Sequence, residues 1–126
     1  MLKIQCITFD CADPKIPAKF WSEALDWPIT IANEEEVVVE DPNGGADLLF
    51  LRNPDKKVVK NRIHLDLRPD NQIKEVQRLE ELGARRVEIG QSKDPRTTWV
   101  VMEDPEGNLF CVLRNLEPNV KKYELS

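Results

Sequence analysis

The residues with the clearest potential for chemistry lie in the stretch 61–68, which reads Asn-Arg-Ile-His-Leu-Asp-Leu-Arg. Apolar and polar side chains alternate along it, and this period of two predicts a half-buried β-strand. Its polar face carries His64, the one histidine of the sequence, and Asp66 two residues further on. A carboxylate on the same strand face can orient an imidazole as a general base, which makes His64 and Asp66 the candidate catalytic residues. An ordinary solvated strand face is the alternative interpretation.

The elements that must position these residues occur twice in the chain. The first half predicts a β-α-β-β-β order with elements at 2–9, 14–26, 29–32, 36–40 and 46–52. The second half repeats this order with elements at 61–68, 70–83, 85–89, 97–103 and 108–114, where Asp70 or Asn71 caps the helix and Gly83 ends it. The turn Asp41-Pro42-Asn43-Gly44 also returns as Asp104-Pro105-Glu106-Gly107. The sequence therefore predicts a duplicated βαβββ unit.

The phase of this repeat extends the candidate site to the first strand. Cys6, Thr8 and Asp10 are predicted to face the same way as His64, Asp66 and Arg68, the last of which could hold an anionic group of a ligand. The alternative is that Asp10 and Arg68 pair with each other and hold two strands in register.

The three tryptophans divide into one core candidate and two pocket candidates. Trp21 lies on the apolar face of the first predicted helix and is predicted to be buried in the core. Trp27 and Trp99 lie at a helix end and near a loop, where an aromatic side chain can wall a ligand pocket. Core packing is the alternative for both.

Composition narrows the class of protein. The 126 residues are 40% hydrophobic and 33% charged, which predicts one globular domain. The net charge of −5 and the scattered basic residues argue against nucleic acid as a partner. No apolar run is long enough to cross a membrane, no signal peptide is recognisable, and three cysteines without metal-type spacing suit a reducing compartment. We therefore expect a cytoplasmic protein.

Four stretches of the sequence resemble the glyoxalase/bleomycin-resistance/dioxygenase group, the vicinal oxygen chelate superfamily, and in particular its glyoxalase-like domains. They are 9–14, 20–27, 64–67 and 104–113, whereas Asp26 stands where the family's helix usually ends in glycine. The resemblance implies an α+β fold with a single domain over 1–126. Two tandem βαβββ modules, at about 1–55 and about 60–118, would form an open, curled β-sheet cleft with helices packed outside.

The same resemblance implies which positions of the sequence would bind a metal. Metal-using members take His or Glu ligands from the first and last strand of each module, and the matching positions here are Cys6, Leu49, His64 and Cys111. Leu49 cannot bind a metal, so we predict no family-type metal and no cofactor. A soft ion such as zinc, held by Cys6, His64 and Cys111, is an open alternative, and burial of both cysteines as small apolar side chains is another.

Function follows as an expectation from these observations. We expect a homodimeric glyoxalase/bleomycin-resistance-like protein that binds a small organic molecule in the cleft. The predicted ligand-binding residues are Cys6, Thr8, Asp10, Trp27, His64, Arg68, Trp99 and Cys111. The alternatives are a lyase or dioxygenase-like enzyme, either metal-free and using His64 with Asp66 or dependent on an atypical metal, and a regulatory module without turnover.

Overall fold

The computed structural model describes Met1 and the residues 3–53 and 63–115. The chain divides into two compact units, Met1–Val58 and Val59–Ser126. Each contains one strand, one helix and three further strands in that order. The α+β class and the duplicated βαβββ order predicted from the sequence are therefore confirmed.

The first module forms a four-stranded mixed sheet with one helix. Its elements are β1 (Cys6–Cys11), α1 (Lys15–Leu25), β2 (Ile29–Ala32), β3 (Glu36–Val39) and β4 (Asp47–Arg52). The sheet order is β1-β4-β3-β2. The first and last strands run parallel, and the two other pairings are antiparallel.

The second module repeats this arrangement. Its elements are β5 (Leu65–Leu67), α2 (Gln72–Glu81), β6 (Arg85–Arg86), β7 (Val100–Glu103) and β8 (Leu109–Val112). The sheet order is β5-β8-β7-β6, again with the first and last strands parallel. A 3₁₀ turn at Gln91–Lys93 lies between β6 and β7.

Most strands differ in extent from the prediction, and the two largest differences concern the strands predicted at 2–9 and 61–68. The strand predicted at 2–9 is observed at Cys6–Cys11. Its limits are those of its pairing with β4, which begins at Cys6 opposite Asp47 and ends at Cys11 opposite Arg52. Strand 61–68 is reduced to Leu65–Leu67 by its three-residue pairing with β8. Its first residues, 61 and 62, lie outside the described residues. The alternating pattern predicted a buried apolar face that includes Ile63, and this is wrong for Ile63, which is 81% exposed.

The helix ends show how local side chains set the boundaries. In α1, Asp13 lies one residue before the N-cap position, and its Oδ1 accepts a hydrogen bond from the Lys15 N–H at 3.1 Å. Asp26 ends the helix in the left-handed conformation, with φ of 57°. In α2 the predicted cap Asn71 is observed, accepting from the Lys74 N–H at 3.0 Å. Gly83 follows the C-cap with φ of 114°, a conformation that favours glycine.

Each helix packs its apolar face on its own sheet. In the first module Trp21 is 1% exposed, which confirms its predicted place in the core. Phe9 stacks on Phe50 with ring centroids 5.0 Å apart and lies 6.3 Å from the Trp21 ring. In the second module the buried side chains come from α2, β7 and β8: Val76, Leu79, Val101, Met102, Phe110 and Val112. Among the described residues, no helix is long and apolar enough to span a membrane.

The repeated Asp-Pro turns precede the last strand of each module. Asp104 is only 3% exposed, and its Oδ1 accepts from the backbone N–H groups of Glu106 and Asn108, both at 2.9 Å. Its Oδ2 accepts from the Asn108 side chain at 3.1 Å. Asp41, its counterpart, accepts from the N–H groups of Asn43 and Gly45 but is only half-buried. The carboxylate thus holds the chain reversal that leads into β8.

Replacing Asp104 with Ala should lower the free energy of unfolding by about 2–3 kcal/mol, because the hydrogen-bond donors of the turn lose a buried, charged acceptor. The matched change Asp41→Ala should cost less, since water can replace that carboxylate as an acceptor. Urea unfolding followed by circular dichroism measures both values. Equal losses for the two variants would contradict this account of the turns.

Candidate functional site

His64 and Asp66 are in direct contact at the start of the second sheet. His64 immediately precedes β5, and Asp66 is its middle residue. In extended backbone, residues two apart lie on the same face. The His64 Nε2 lies 3.2 Å from the Asp66 Oδ1, and the two side chains are 42% and 51% exposed. The contact expected from the alternating pattern is present and open to solvent.

Cys111 joins this pair from the neighbouring strand. Asp66 and Cys111 are direct partners in the parallel ladder of β5 and β8. One potential ligand atom from each of His64, Asp66 and Cys111 lies within 4.8 Å of the other two. We call these three residues the second-module triad. It combines an imidazole, a carboxylate and a half-buried thiol from two segments that are more than forty positions apart in the sequence.

Arg68 lies just beyond the end of β5. Its Nη1 donates a hydrogen bond to the backbone carbonyl of Arg114 at 2.8 Å, and the residue is half-buried. The guanidinium is therefore tied to the segment that follows β8. Its predicted role as an anion clamp stays a prediction.

The candidate residues of the first module occupy positions equivalent to the second-module triad but carry fewer ionisable groups. The Cys6 Sγ lies 3.8 Å from the Thr8 Oγ1, and Thr8 is the ladder partner of Leu49. Cys6, Thr8 and Leu49 thus take the places that His64, Asp66 and Cys111 take in the second module. Asp10, further along β1, accepts a hydrogen bond from the Asn53 side chain at 3.3 Å. The chemistry of acid, base and thiol is concentrated in the second module.

Trp27 and Trp99 are both half-buried. The backbone N–H of Trp27 donates to the Ser22 carbonyl at 3.0 Å, and the Ser22 hydroxyl donates to the Trp27 carbonyl. Trp99 immediately precedes β7. A role of either indole in a ligand pocket stays a prediction.

A cavity that the sequence did not indicate lies in the first module. Its volume is about 500 Å³, and none of the predicted site residues lines it. Its acidic wall includes Asp41 and Asp47. Both carboxylates accept backbone hydrogen bonds, Asp41 within its own turn and Asp47 from the Asp41 N–H at 2.9 Å. Their observed contacts are those of a well-ordered chain reversal.

The described residues do not match the ligand set of a family-type metal. The ladder position equivalent to Cys111 in the first module is Leu49, whose alkyl side chain has no ligand atom. His64 is the one imidazole of the chain. An octahedral cation that prefers oxygen and nitrogen ligands therefore finds too few of them at these positions.

Comparison with known proteins shows which family and which solved structures this chain is similar to. A family model described as the glyoxalase-like domain matches residues 6–113. A possible glyoxalase from Bacillus cereus superposes with a TM-score of 0.67 at 17% identity, covering 90% of this chain and 99% of the other. A glyoxalase/bleomycin resistance protein/dioxygenase family enzyme from Burkholderia phytofirmans PsJN gives a TM-score of 0.73 at 14% identity, covering 91% and 100%.

A bleomycin-binding protein from Streptomyces verticillus, solved with copper(II)-bleomycin, gives a TM-score of 0.59 at 15% identity, covering 92% of this chain and all of the other. Among the curated proteins, none matches the sequence.

The two βαβββ modules, each with an open mixed sheet, define a fold of the vicinal oxygen chelate type. Within that class the chain belongs to the glyoxalase-like domain family. The resemblance stated from the sequence is confirmed.

The three cysteines should differ in their reactivity toward a thiol reagent. Cys11 is 2% exposed and its Sγ donates to the Leu51 carbonyl at 3.4 Å, whereas Cys6 and Cys111 are half-buried. In native protein we expect Ellman's reagent to modify two thiols readily and the third only after unfolding. Mass spectrometry after proteolysis identifies the protected residue. Ready modification of Cys11 in the native protein would contradict the structure.

Proposed function

We propose that this protein binds a small organic molecule at the polar face around the second-module triad, without a family-type metal. The observation that carries the proposal is the cluster of His64, Asp66 and Cys111 on a paired, well-packed sheet. Half-exposed polar groups fixed by rigid strands can recognise a ligand at a low entropic cost.

The chemistry of the triad indicates what kind of molecule would fit. An imidazole can donate or accept a hydrogen bond, and a carboxylate accepts one. A ligand with a donor group toward Asp66 and a polar group toward His64 would satisfy both side chains. The Streptomyces verticillus protein, solved with copper(II)-bleomycin, is an example of this fold serving ligand binding in another protein.

The ligand set supports the metal-free part of the proposal. Metal-using members of the superfamily polarise substrate oxygens with a cation held by His and Glu side chains, and here Leu49, Cys6 and Cys111 occupy three of the four matching positions. Further ligand contacts from Cys6, Thr8, Asp10, Trp27, Arg68 and Trp99 belong to the same proposal.

An enzyme is the second candidate function, and the 3.2 Å contact between His64 and Asp66 is the observation that favours it. Asp66 would orient the imidazole, and His64 would take a proton from the substrate in a lyase-like or dioxygenase-like reaction. Turnover that depends on both side chains distinguishes this candidate from simple binding.

His64→Gln separates the two functions, because glutamine keeps a hydrogen-bonding side chain but cannot act as a base near neutral pH. Binding is first detected by calorimetry with a panel of small aromatic acids, amides and metal-free bleomycin. For the compound that binds, the variant should lose about 1–2 kcal/mol of binding free energy, roughly a five- to thirtyfold weaker Kd.

The matched control is Gln77→Ala on the exposed face of α2, which should leave binding unchanged. Loss of turnover in His64→Gln, with affinity retained, would favour the enzyme. No binding by any member of the panel, or a lowered Tm with intact affinity, would contradict the assignment of His64 to a binding site.

We also propose that the protein assembles as a cytoplasmic homodimer. Among the described strands, β2 is an edge strand of its sheet and exposes Ile29 (43%) and Ile31 (49%). An apolar strand edge of this kind promotes association with another chain.

Light scattering at high micromolar concentration should give the mass of two chains. Ile31→Lys should then shift the mass toward that of one chain, because a charge would be buried at the edge of the sheet. The matched control is Ile89→Lys, since Ile89 is similarly exposed (46%) but lies in the second module outside any strand. A single-chain mass for the unmodified protein would contradict the proposal.

A further inference from the structure

We propose that Cys111 is a nucleophile activated by His64 and Asp66, and that its thiol forms a covalent bond with small organic molecules that carry an electrophilic carbon, such as α,β-unsaturated carbonyl compounds. The inference goes beyond reversible binding and beyond the proton abstraction considered above, and it depends on neither. It rests on the position of one thiol beside one imidazole and one carboxylate within the second module.

A cysteine needs a base beside it to act as a nucleophile near neutral pH. The thiolate is the form that attacks carbon, whereas an ordinary cysteine is mostly protonated at pH 7. An imidazole accepts a proton in this pH range. One nitrogen of His64 and the Cys111 Sγ lie within 4.8 Å of each other. Rotation of either side chain can close this separation to a hydrogen bond, and such bonds are often long before a substrate binds.

Asp66 is the positioning residue of the arrangement. Its Oδ1 lies 3.2 Å from the His64 Nε2. A carboxylate in this place orients the imidazole and stabilises the imidazolium that forms when the thiol gives up its proton. An Nε2–H that donates to the carboxylate leaves the other ring nitrogen with a lone pair, which can accept that proton. Nucleophile, base and orienting group are therefore all present.

The sheet holds the thiol on the face that carries the imidazole and the carboxylate. Asp66 and Cys111 are ladder partners in the parallel pair of β5 and β8. On either side of Cys111, Phe110 and Val112 are 1% exposed. Because successive residues of a strand point to opposite faces, the Cys111 side chain points away from the core. The nucleophile is thereby held in position before a substrate arrives.

The covalent step is an addition in which all atoms of both reactants are kept. The Cys111 sulfur forms a bond to the β-carbon of the unsaturated carbonyl compound, and the carbon–carbon π bond breaks as its electron pair moves toward the carbonyl oxygen. The thiol proton passes to His64 and from there to the α-carbon of the enolate. The product is a thioether, the imidazole returns to its neutral form, and no oxidant or further reactant is consumed.

Cys6 provides a comparison within the same chain. It is half-buried like Cys111, and its Sγ lies 3.8 Å from the Thr8 Oγ1. A hydroxyl group does not take a proton from a thiol near neutral pH, so this neighbour does not activate Cys6. The proposal therefore predicts different rates of reaction for two thiols of similar exposure.

Acrylamide, a small α,β-unsaturated amide, is the probe that tests the proposal. The full chain, reduced and kept with a chelator, is treated with acrylamide at pH 7, and mass spectrometry after proteolysis gives the alkylation rate of each cysteine. We expect Cys111 to react about tenfold or more faster than Cys6. His64→Gln should lower the rate at Cys111 by about tenfold or more, because the base is lost. Gln77→Ala, on the exposed face of α2, should leave it unchanged.

Asp66→Asn tests the carboxylate through the sign of its effect. If Asp66 orients and stabilises the imidazolium, loss of its charge should slow the alkylation of Cys111. A carboxylate that only lies beside the thiol would disfavour the thiolate, and its neutralisation would speed the reaction instead. A role in packing alone predicts neither change.

Equal rates for Cys111 and Cys6 in the unmodified protein, an unchanged rate at Cys111 in His64→Gln, or a faster reaction in Asp66→Asn would overturn the proposal. Circular dichroism checks that each variant folds. The comparison of the two cysteines needs no variant, so it tests the proposal even if a variant does not fold. Calorimetry with compounds that carry no electrophilic carbon tests reversible binding separately, so a failure of one proposal is distinguishable from a failure of the other.

Discussion

The parallel pairing of the first and last strand in each module is the constraint on which the rest of the structure depends. A parallel pair requires a long crossover connection, and here a helix and two strands supply it. The pairing places Asp66 opposite Cys111 and Thr8 opposite Leu49. A one-residue slip would turn every one of these side chains to the opposite face. The core and the candidate site are therefore specified by the same register.

The register between the first and last strand of each module is stabilised by the turn that precedes the last strand. In both modules an Asp-Pro turn reverses the chain, and its carboxylate accepts the N–H groups that the reversal exposes. Asp104 is buried and Asp41 is half-buried, so water can hydrate the two carboxylates to different degrees. The second turn delivers Phe110 and Val112 to the core and leaves Cys111 on the other face. A structural carboxylate in this way helps to determine where the Cys111 thiol lies.

Much of the fold was predictable from local patterns, because the duplicated turn, the helix caps and the hydrophobic periodicity all indicate the same architecture. The contact between His64 and Asp66 was predictable for the same reason, since it depends only on the alternation of an extended strand. The strand limits were less predictable. The length of β5 is set by its pairing with β8, and the exposure of Ile63 follows from its position outside that pairing. The contact of Asp66 with Cys111 was not predictable from local pattern, because it depends on the register between β5 and β8.

The two modules show how a duplicated framework can separate folding from chemistry. Both keep the apolar ladder positions that pack against the helix, such as Phe50 and Phe110. At the alternate positions the first module has a thiol, a hydroxyl and an alkyl group, whereas the second has an imidazole, a carboxylate and a thiol. Substitutions on the polar face leave the core contacts untouched, so they carry little cost in stability. The two sheets can therefore carry different polar groups on the same packed framework, and both fold in the same way.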